Sequence, residues 1–371
     1  MNLTIVVPVY NLEKHMTPML YSLLHQSEKS FEIIIVDDGS TDQTYNTIDD
    51  FFTRHPFLHC RILRTDNHGV SAARNKGLSE ANGKYVLFLD GDDFIAEDLV
   101  QTLHSHITDP EPDIICWGYN LVRENRSTIV SFTSNLNYLT GIEALKEIFV
   151  KKSLRIWTGS IAYRRDFLLE HGILYTEQCI NGEDQEFIYK ALSRASQLVS
   201  LPNVLSFYVQ RGSSISNSYN VKKFDVVAAF KRVDAFFKDQ YSGELAAISD
   251  LLLNREMTEN YFFNLNTCLN NTQGIRIQAL LQDIDQTYPK LTQEMHGIMK
   301  HYSGTDKRLA FQIKAFLINP GLYHSLIRLD QSKIKTVNKA EANSEGEMEP
   351  ERMWSDEKYI DLCLYGVQFG R

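Results

Sequence analysis

Three carboxylates, Asp90, Asp92 and Asp93, follow the apolar run Val86-Leu87-Phe88-Leu89 with only Gly91 among them. Like charges this close repel, so the cluster needs a compensating cation, and its hard oxygen donors favour Mg²⁺ or Mn²⁺. An apolar run ending in acids reads as a buried strand that delivers ligands at its carboxyl end, where α/β sheets bind them. Taken alone, the segment also fits a solvated acidic turn.

Two more strand ends carry complementary chemistry. A strand over Leu3–Val7 runs into Pro8-Val9-Tyr10-Asn11, and one over Glu32–Val36 runs into Asp37-Asp38-Gly39-Ser40. Tyr10 offers a flat ring and Asp38 an acceptor, so a planar base such as uracil can stack on one and donate its N–H to the other. The loop Asn67-His68-Gly69 enters a helix over Ala72–Leu78. Gly69 permits close backbone approach, the helix start favours an anion, and His68 reads as a bystander. Arg74, one turn in, either reaches a phosphate, braces the carboxylate cluster, or is a surface ion-pair partner. Glu183 and Asp184 follow Gly182 at the start of a helix over Asp184–Ala195. Acids suit a helix start for dipole reasons alone, yet a firm helix start also suits a general base.

These groups are spread over a pattern of short apolar strands alternating with amphipathic helices as far as about Leu201, which implies an α/β domain with a mixed, largely parallel sheet. The remaining strands fall at Arg61–Leu63, Tyr85–Leu89 and Asp113–Trp117. Met16, Met19, Leu20, Leu23 and Leu24 mark a first helix, with Thr17 as N-cap and Pro18 in its first turn. Tyr45, Ile48, Phe51 and Phe52 mark a second, and Leu99–Ile107 a later one. Beyond about Lys222 the pattern becomes mainly helical, over Phe224–Phe237 and Glu244–Leu269. The expected division is 1–215 for the α/β domain, 216–339 for a helical region and 340–371 for an acidic linker and a tail over Trp354–Phe369.

Composition narrows the function further. A formal net charge of −9 argues against nucleic-acid binding, which needs a basic surface. Five scattered cysteines, Cys60, Cys116, Cys179, Cys268 and Cys363, form no C-x-x-C pair, which points to a reducing compartment. No apolar window reaches the roughly 18–20 residues of a membrane span, and the N-terminus reads as a strand rather than a signal peptide, so a cytoplasmic protein is expected. From Lys307 to Lys335 basic and apolar residues combine in a helical pair broken at Pro320-Gly321, which either lies in a membrane interface or covers the core.

The motifs Pro8-Val9-Tyr10-Asn11, Val36 to Ser40, Asn67 to Gly77, Leu89 to Asp93 and Gly182-Glu183-Asp184 resemble, in order and spacing, the inverting family 2 glycosyltransferases of the GT-A fold, over roughly the first 210 residues. The resemblance implies a nucleotide-diphosphate-sugar donor, most often UDP-linked, and a hydroxyl of a glycan or lipid-linked acceptor. It implies that Pro8, Val9, Tyr10 and Asp38 hold base and ribose, with Asn67, Gly69, Arg74 and Gly91 also on the donor side. Asp92 would bind the metal directly and Asp90 would contact ribose or a metal-bound water. Asp184 would be the catalytic base and Glu183 would orient the acceptor. Trp157 falls where the family lines its acceptor pocket, as a stacking platform or as core.

The Gln-x-x-Arg-Trp of processive synthases is missing, with Gln210-Arg211-Gly212 only an echo, so addition of one sugar at a time is expected. Tyr208 and Arg211 are expected in a loop that closes over the diphosphate. A nucleotidyltransferase would begin with a glycine-rich phosphate loop in place of Pro8-Val9-Tyr10-Asn11, and a Rossmann dehydrogenase with G-x-G-x-x-G. A non-catalytic scaffold or sugar-binding subunit is the remaining alternative, and it has no use for Asp38, Asp90, Asp92 and Asp184 together.

Overall fold

Every residue of β1 (Leu3–Val9) and of β2 (Phe31–Asp37) is buried, as Val- and Ile-rich strands covered on both faces must be. The computed structural model that shows this describes residues 2–56, 58–107, 110–211, 219–239, 243–271 and 275–328. Residues 340–371, with the expected linker and tail, lie outside the described residues, as do Gly212, Lys333, Lys335 and Cys363.

β1 pairs in parallel with β2 and with β4 (Tyr85–Phe88), and β2 with β3 (His59–Arg64), so four strand ends open on one rim. Between them run α1 (Thr17–Leu24), α2 (Thr44–Arg54) and α3 (Val70–Glu80). The N-cap of α1 is Met16 rather than Thr17, because the Met16 carbonyl already accepts from Leu20 N–H and its side chain is buried.

Past β4 the direction reverses. β5 is the two-residue Phe94–Ile95, α4 (Leu99–His106) follows, and β6 (Ile114–Arg123) pairs antiparallel with β7 (Thr128–Phe132). After β8 (Asn137–Leu139) and α5 (Gly141–Lys146), β9 (Ile161–Arg164) inserts antiparallel between β4 and β6. α6 (Arg165–Glu170) and α7 (Glu183–Arg194) lead to β10 (Leu198–Gln210), parallel to β6. The ten-stranded sheet has the order β3-β2-β1-β4-β9-β6-β10-β5, with β7 on β6 and β8 on β10. It is the mixed sheet with a parallel core that the alternation of elements implies.

β10 continues nine residues past the expected end of the strand pattern at Leu201. Pro202 cannot donate to the ladder, and the register against β6 slips between Leu201 and Val204, then again before Ser206. Pairing resumes to Gln210, so Tyr208 lies in a strand and not in the loop expected for it.

The chain forms two compact units, one of Met1–Arg211 with Ala235–Ile248, the other of Gly212–Asp234 with Ser249–Arg371. α8 (Asp225–Lys238) matches the expected helix, whereas the stretch expected as one helix over Glu244–Leu269 is α9 (Gly243–Leu251), a π turn and α10 (Met257–Asn270). α11 (Ile277–Thr287), α12 (Leu291–Lys300) and α13 (Lys307–Ile318) follow. In the second unit Phe224, Tyr261, Phe262, Phe316 and Tyr323 pack edge-on and stacked into an aromatic core.

Candidate active site

At the rim the ends of β1 and β2 are tied together. Asn11 N–H donates to Ser40 Oγ at 3.0 Å, and Asn11 Oδ1 accepts from Thr41 N–H at 2.8 Å. Pro8 and Val9 are buried beneath this knot, while Tyr10 stands 46% exposed with its ring available to a planar partner. Asp38, itself buried, accepts from the backbone N–H groups of His68 at 2.9 Å and Gly69 at 2.8 Å, so the β2 end holds the Asn67 loop against the rim. Oδ1 also accepts from the Thr65 hydroxyl at 3.3 Å, whereas Oδ2 takes only Gly69 N–H among the described residues and has a second lone pair for a base N–H. Gly69 caps α3 at φ +90°, a backbone conformation that side chains with a Cβ rarely adopt.

Sequence reading places Asp37 beside Asp38 without distinguishing them. Asp37 is fully buried and accepts from Ser40 N–H, and Arg64 reaches it at 3.4 Å while also stacking on Tyr45.

Below the rim lies the centre of the site. Arg74 is wholly buried, which removes the reading of it as a surface partner. Its Nη2 donates to Asp90 Oδ1 at 2.9 Å and its Nη1 to Asp184 Oδ1 at 2.5 Å, with Glu183 Oε1 at 3.7 Å from the same nitrogen. One guanidinium thus joins the end of β4 to the start of α7, whose Asp184 lies 110 residues from Arg74 in sequence. The Tyr175 ring lies 4.9 Å from its Cζ and is in turn stacked on Phe187 of α7. Asn75 clasps the Tyr175 backbone from both sides, accepting from its N–H and donating to its carbonyl, each at 2.9 Å. Neither Asn75 nor Tyr175 announces itself in the sequence, because nothing local couples positions so far apart.

Arg74 stays charged, since the carboxylates around it outweigh the burial that opposes its charge. Glu183 behaves oppositely. Burial first, and Asp184 second, push its carboxyl up to about 8, so it holds a proton at neutral pH. Side-chain exposure separates the two acids as well, 5% for Glu183 against 16% for Asp184. Because the folded state keeps a proton that the unfolded chain releases near 4.5, this group makes stability fall as pH rises from about 4.5 to about 8. Glu183→Gln mimics the protonated form, so its melting temperature should decline less over that window than the parent's. Parallel melting curves would show that Glu183 is ionised at neutral pH.

The acidic turn after β4 divides its three carboxylates among different tasks. Gly91 is packed so closely that a Cβ there would sit 2.7 Å from Val9 Cγ1 and 2.8 Å from Leu12 Cδ1, which seats the turn against the end of β1. Asp93 is buried and accepts from Val209 N–H at 2.8 Å, tying the turn to β10. Asp92 pairs with Arg211, at the end of β10.

Of Asp90 and Asp92, Asp92 is the more accessible carboxylate, 12% exposed and paired with Arg211, so a divalent ion held there would take the place of that guanidinium. Asp90 is buried and gives its Oδ1 to Arg74, while its Oδ2 accepts no hydrogen bond among the described residues. Among the described residues no three His, Cys, Asp or Glu side chains converge as a cage. The remaining ligands of an ion at Asp92 would be substrate phosphate and water, an arrangement Mg²⁺ commonly adopts.

Trp157 lies in the interior rather than in an open acceptor pocket. It is 7% exposed, with its ring packed against Tyr119 and Tyr208 at 5.6 and 5.3 Å. Its neighbour Gly159 sits under that ring so tightly that a Cβ would meet it at 2.4 Å.

Comparison with known proteins agrees with this architecture. Residues 4–172 match the profile of Glycosyl transferase family 2. A cholesterol galactosyltransferase of Borreliella burgdorferi is 29% identical over 233 residues, 59% of this chain and 63% of that protein, so the chain spans somewhat less than two thirds of this relative. The poly(ribitol-phosphate) β-N-acetylglucosaminyltransferase TarS of Staphylococcus aureus is 26% identical over 77% of this chain and 48% of its own. The crystal structure of TarS 1–349 in complex with UDP-GlcNAc superposes with a TM-score of 0.63 at 22% identity, covering 88% of this chain and 92% of that one. A mannosyltransferase of Pyrobaculum calidifontis in complex with GDP-Man and Mn²⁺ gives a TM-score of 0.52 at 18% identity, over 80% and 84% of the two chains.

Proposed function

Because the chain belongs to glycosyl transferase family 2 through its domain over residues 4–172, we propose that it transfers a single sugar, with inversion, from a UDP-linked donor to a hydroxyl of a glycan or lipid-linked oligosaccharide. The observation that carries this reading is the Arg74 fork, which draws Asp90 on the donor side and Asp184 on the acceptor side to one guanidinium. Tyr10 and Asp38 receive the base, and the loop from Asn67 to Gly69 borders the ribose and phosphates. Asp184 takes the proton of the acceptor hydroxyl as its oxygen attacks the anomeric carbon on the face opposite the diphosphate, so an α-linked donor gives a β-linked product. Bound at Asp92, Mn²⁺ or Mg²⁺ supplies charge neutralisation for the departing nucleoside diphosphate. Arg211 lies beside Asp92, positioned to turn to the diphosphate once that carboxylate is occupied.

The reading extends to a surface glycan made on the cytoplasmic face of the membrane, by a protein held there peripherally. Among the described residues no helix is long and apolar enough to cross a membrane.

A thermal-shift titration tests the donor and the metal together. UDP-sugar with Mn²⁺ at a hundredfold excess over Kd should stabilise the protein by about 2.7 kcal/mol through mass action. Asp92→Asn should lose the metal-dependent part of the shift and keep a smaller, metal-independent one. If no nucleotide sugar moves the melting curve, with or without metal, the catalytic reading gives way to that of a scaffold.

A further inference from the structure

From Lys307 to Arg328 the chain carries Lys307, Arg308, Lys314 and Arg328 and not one Asp or Glu, although acids outnumber Lys and Arg by 47 to 38 overall. α13 has two unlike faces. Leu309, Ile313 and Phe316 are buried in the aromatic core, whereas Lys307, Phe311, Lys314 and Ile318, at spacings of four, three and four, line an exposed stripe. Phe311 is 58% and Ile318 75% exposed, and Leu322 on the following helix, residues 320–328, is 42% exposed. An exposed apolar stripe flanked by lysines is the arrangement of a helix that lies in an interface.

That second helix is firmly seated. Tyr323 is buried, stacks on Phe262 at 4.8 Å and donates to Asn266 Oδ1 at 3.0 Å. Beside it is a cavity of about 220 Å³, lined by Leu269, Ile275, Ile277 and Gly321 together with Arg276, Gln278, His324 and Arg328. Burial, and Arg328 after it, hold His324 below its ordinary range, so the positive charge of the cavity is that of the two arginines. Among the described residues Lys307, Lys314, Arg276 and Arg328 form no ion pair with an acid.

We infer that α13 and the helix over residues 320–328 form a docking surface for an anionic lipid bilayer, with Phe311, Ile318 and Leu322 entering the interface and the Arg276–Arg328 cavity receiving a lipid phosphate headgroup. Charge complementarity selects this occupant. A chain of net charge −9 is repelled as a whole by an anionic surface, and between Lys307 and Arg328 a stretch that carries cations and no acid coincides with exposed apolar side chains. The inference deepens the peripheral-membrane part of the proposed function and rests on it for its setting. Its readout is vesicle binding, which does not depend on glycosyl transfer.

The test is flotation of the full chain with vesicles of phosphatidylcholine alone or with one third phosphatidylglycerol. Binding is expected only to the anionic vesicles and should fade in high salt. Each cationic side chain near such a surface contributes about fivefold in affinity, so the double substitution Lys314→Glu with Arg328→Glu should weaken binding by more than about 20-fold. Phe311→Ser with Ile318→Ser should weaken it at unchanged charge. Both variants alter exposed positions, and their melting temperatures and donor-dependent shifts should match the parent's. Equal binding to both vesicle types, or binding unchanged in the two variants, overturns the inference. So does stabilisation by inorganic phosphate without vesicle binding, which marks a free-phosphate site, or a dimer that the Phe311→Ser, Ile318→Ser variant dissolves, which marks a contact between two copies.

Discussion

Asp184→Asn should lower turnover about 10³-fold while leaving donor affinity unchanged, because it removes a proton acceptor and little else. The amide oxygen of Asn can still accept from Arg74 Nη1, so the fork and the position of α7 survive. In the proposed function donor is held at the rim, through Tyr10, Asp38 and the Asn67 loop, on residues this substitution does not touch. A second signature follows from electrostatics. Asp184 is one of the two main influences raising the Glu183 carboxyl, so neutralising it should let Glu183 ionise at lower pH and flatten the decline of stability between about 4.5 and 8. Glu183 cannot readily take over as base, since its side chain is less exposed and holds its own proton at neutral pH. Single-turnover measurement with saturating donor separates the outcomes: retained turnover would move the base elsewhere, and lost donor affinity would mean that Asp184 serves binding.

The strand ends and helix starts of this site are legible in the sequence for a local reason. In each of Pro8-Val9-Tyr10, Asp37-Asp38-Gly39 and Leu89-Asp90-Gly91-Asp92 an abrupt change from apolar to polar residues marks where a buried strand reaches the rim. What the residues do to one another there is not legible. Asp90, Asp92 and Asp93 look alike in the chain, yet one is committed to Arg74, one to Arg211 and one to the backbone of β10, and only the pairing of distant segments decides which. Pro202 hides the second half of β10 because proline reads as a strand terminator, whereas here two register shifts carry the ladder past it. Trp157 is ambiguous for a different reason. Its residue type suits a sugar platform and a core equally, and burial is settled by Tyr119 and Tyr208 arriving from β6 and β10.

Removing the Arg74 fork should cost more than removing the base. Arg74→Met replaces a wholly buried cation by an apolar chain of similar length and leaves Asp90, Glu183 and Asp184 facing one another. Breaking a buried ion pair from one side destabilises by about 3–5 kcal/mol, chiefly through the uncompensated charge left behind. The carboxylates would escape by binding protons, which reverses the usual acid behaviour: native-state carboxyls raised above their unfolded values make a protein most stable at low pH and weaken it as pH climbs through the raised values. Arg74→Met should therefore melt closest to the parent in acid and fall away toward neutral pH. Arg74→Lys keeps the charge but not the planar fork that reaches Asp90 and Asp184 at once, so it should recover part of the stability and little of the turnover. Adding Asp90→Asn to Arg74→Met removes one of the stranded charges and should restore stability relative to Arg74→Met alone, a coupling that a double-mutant cycle measures. Independent, additive losses in that cycle would show that Arg74 acts by packing against Tyr175 rather than by balancing the carboxylates.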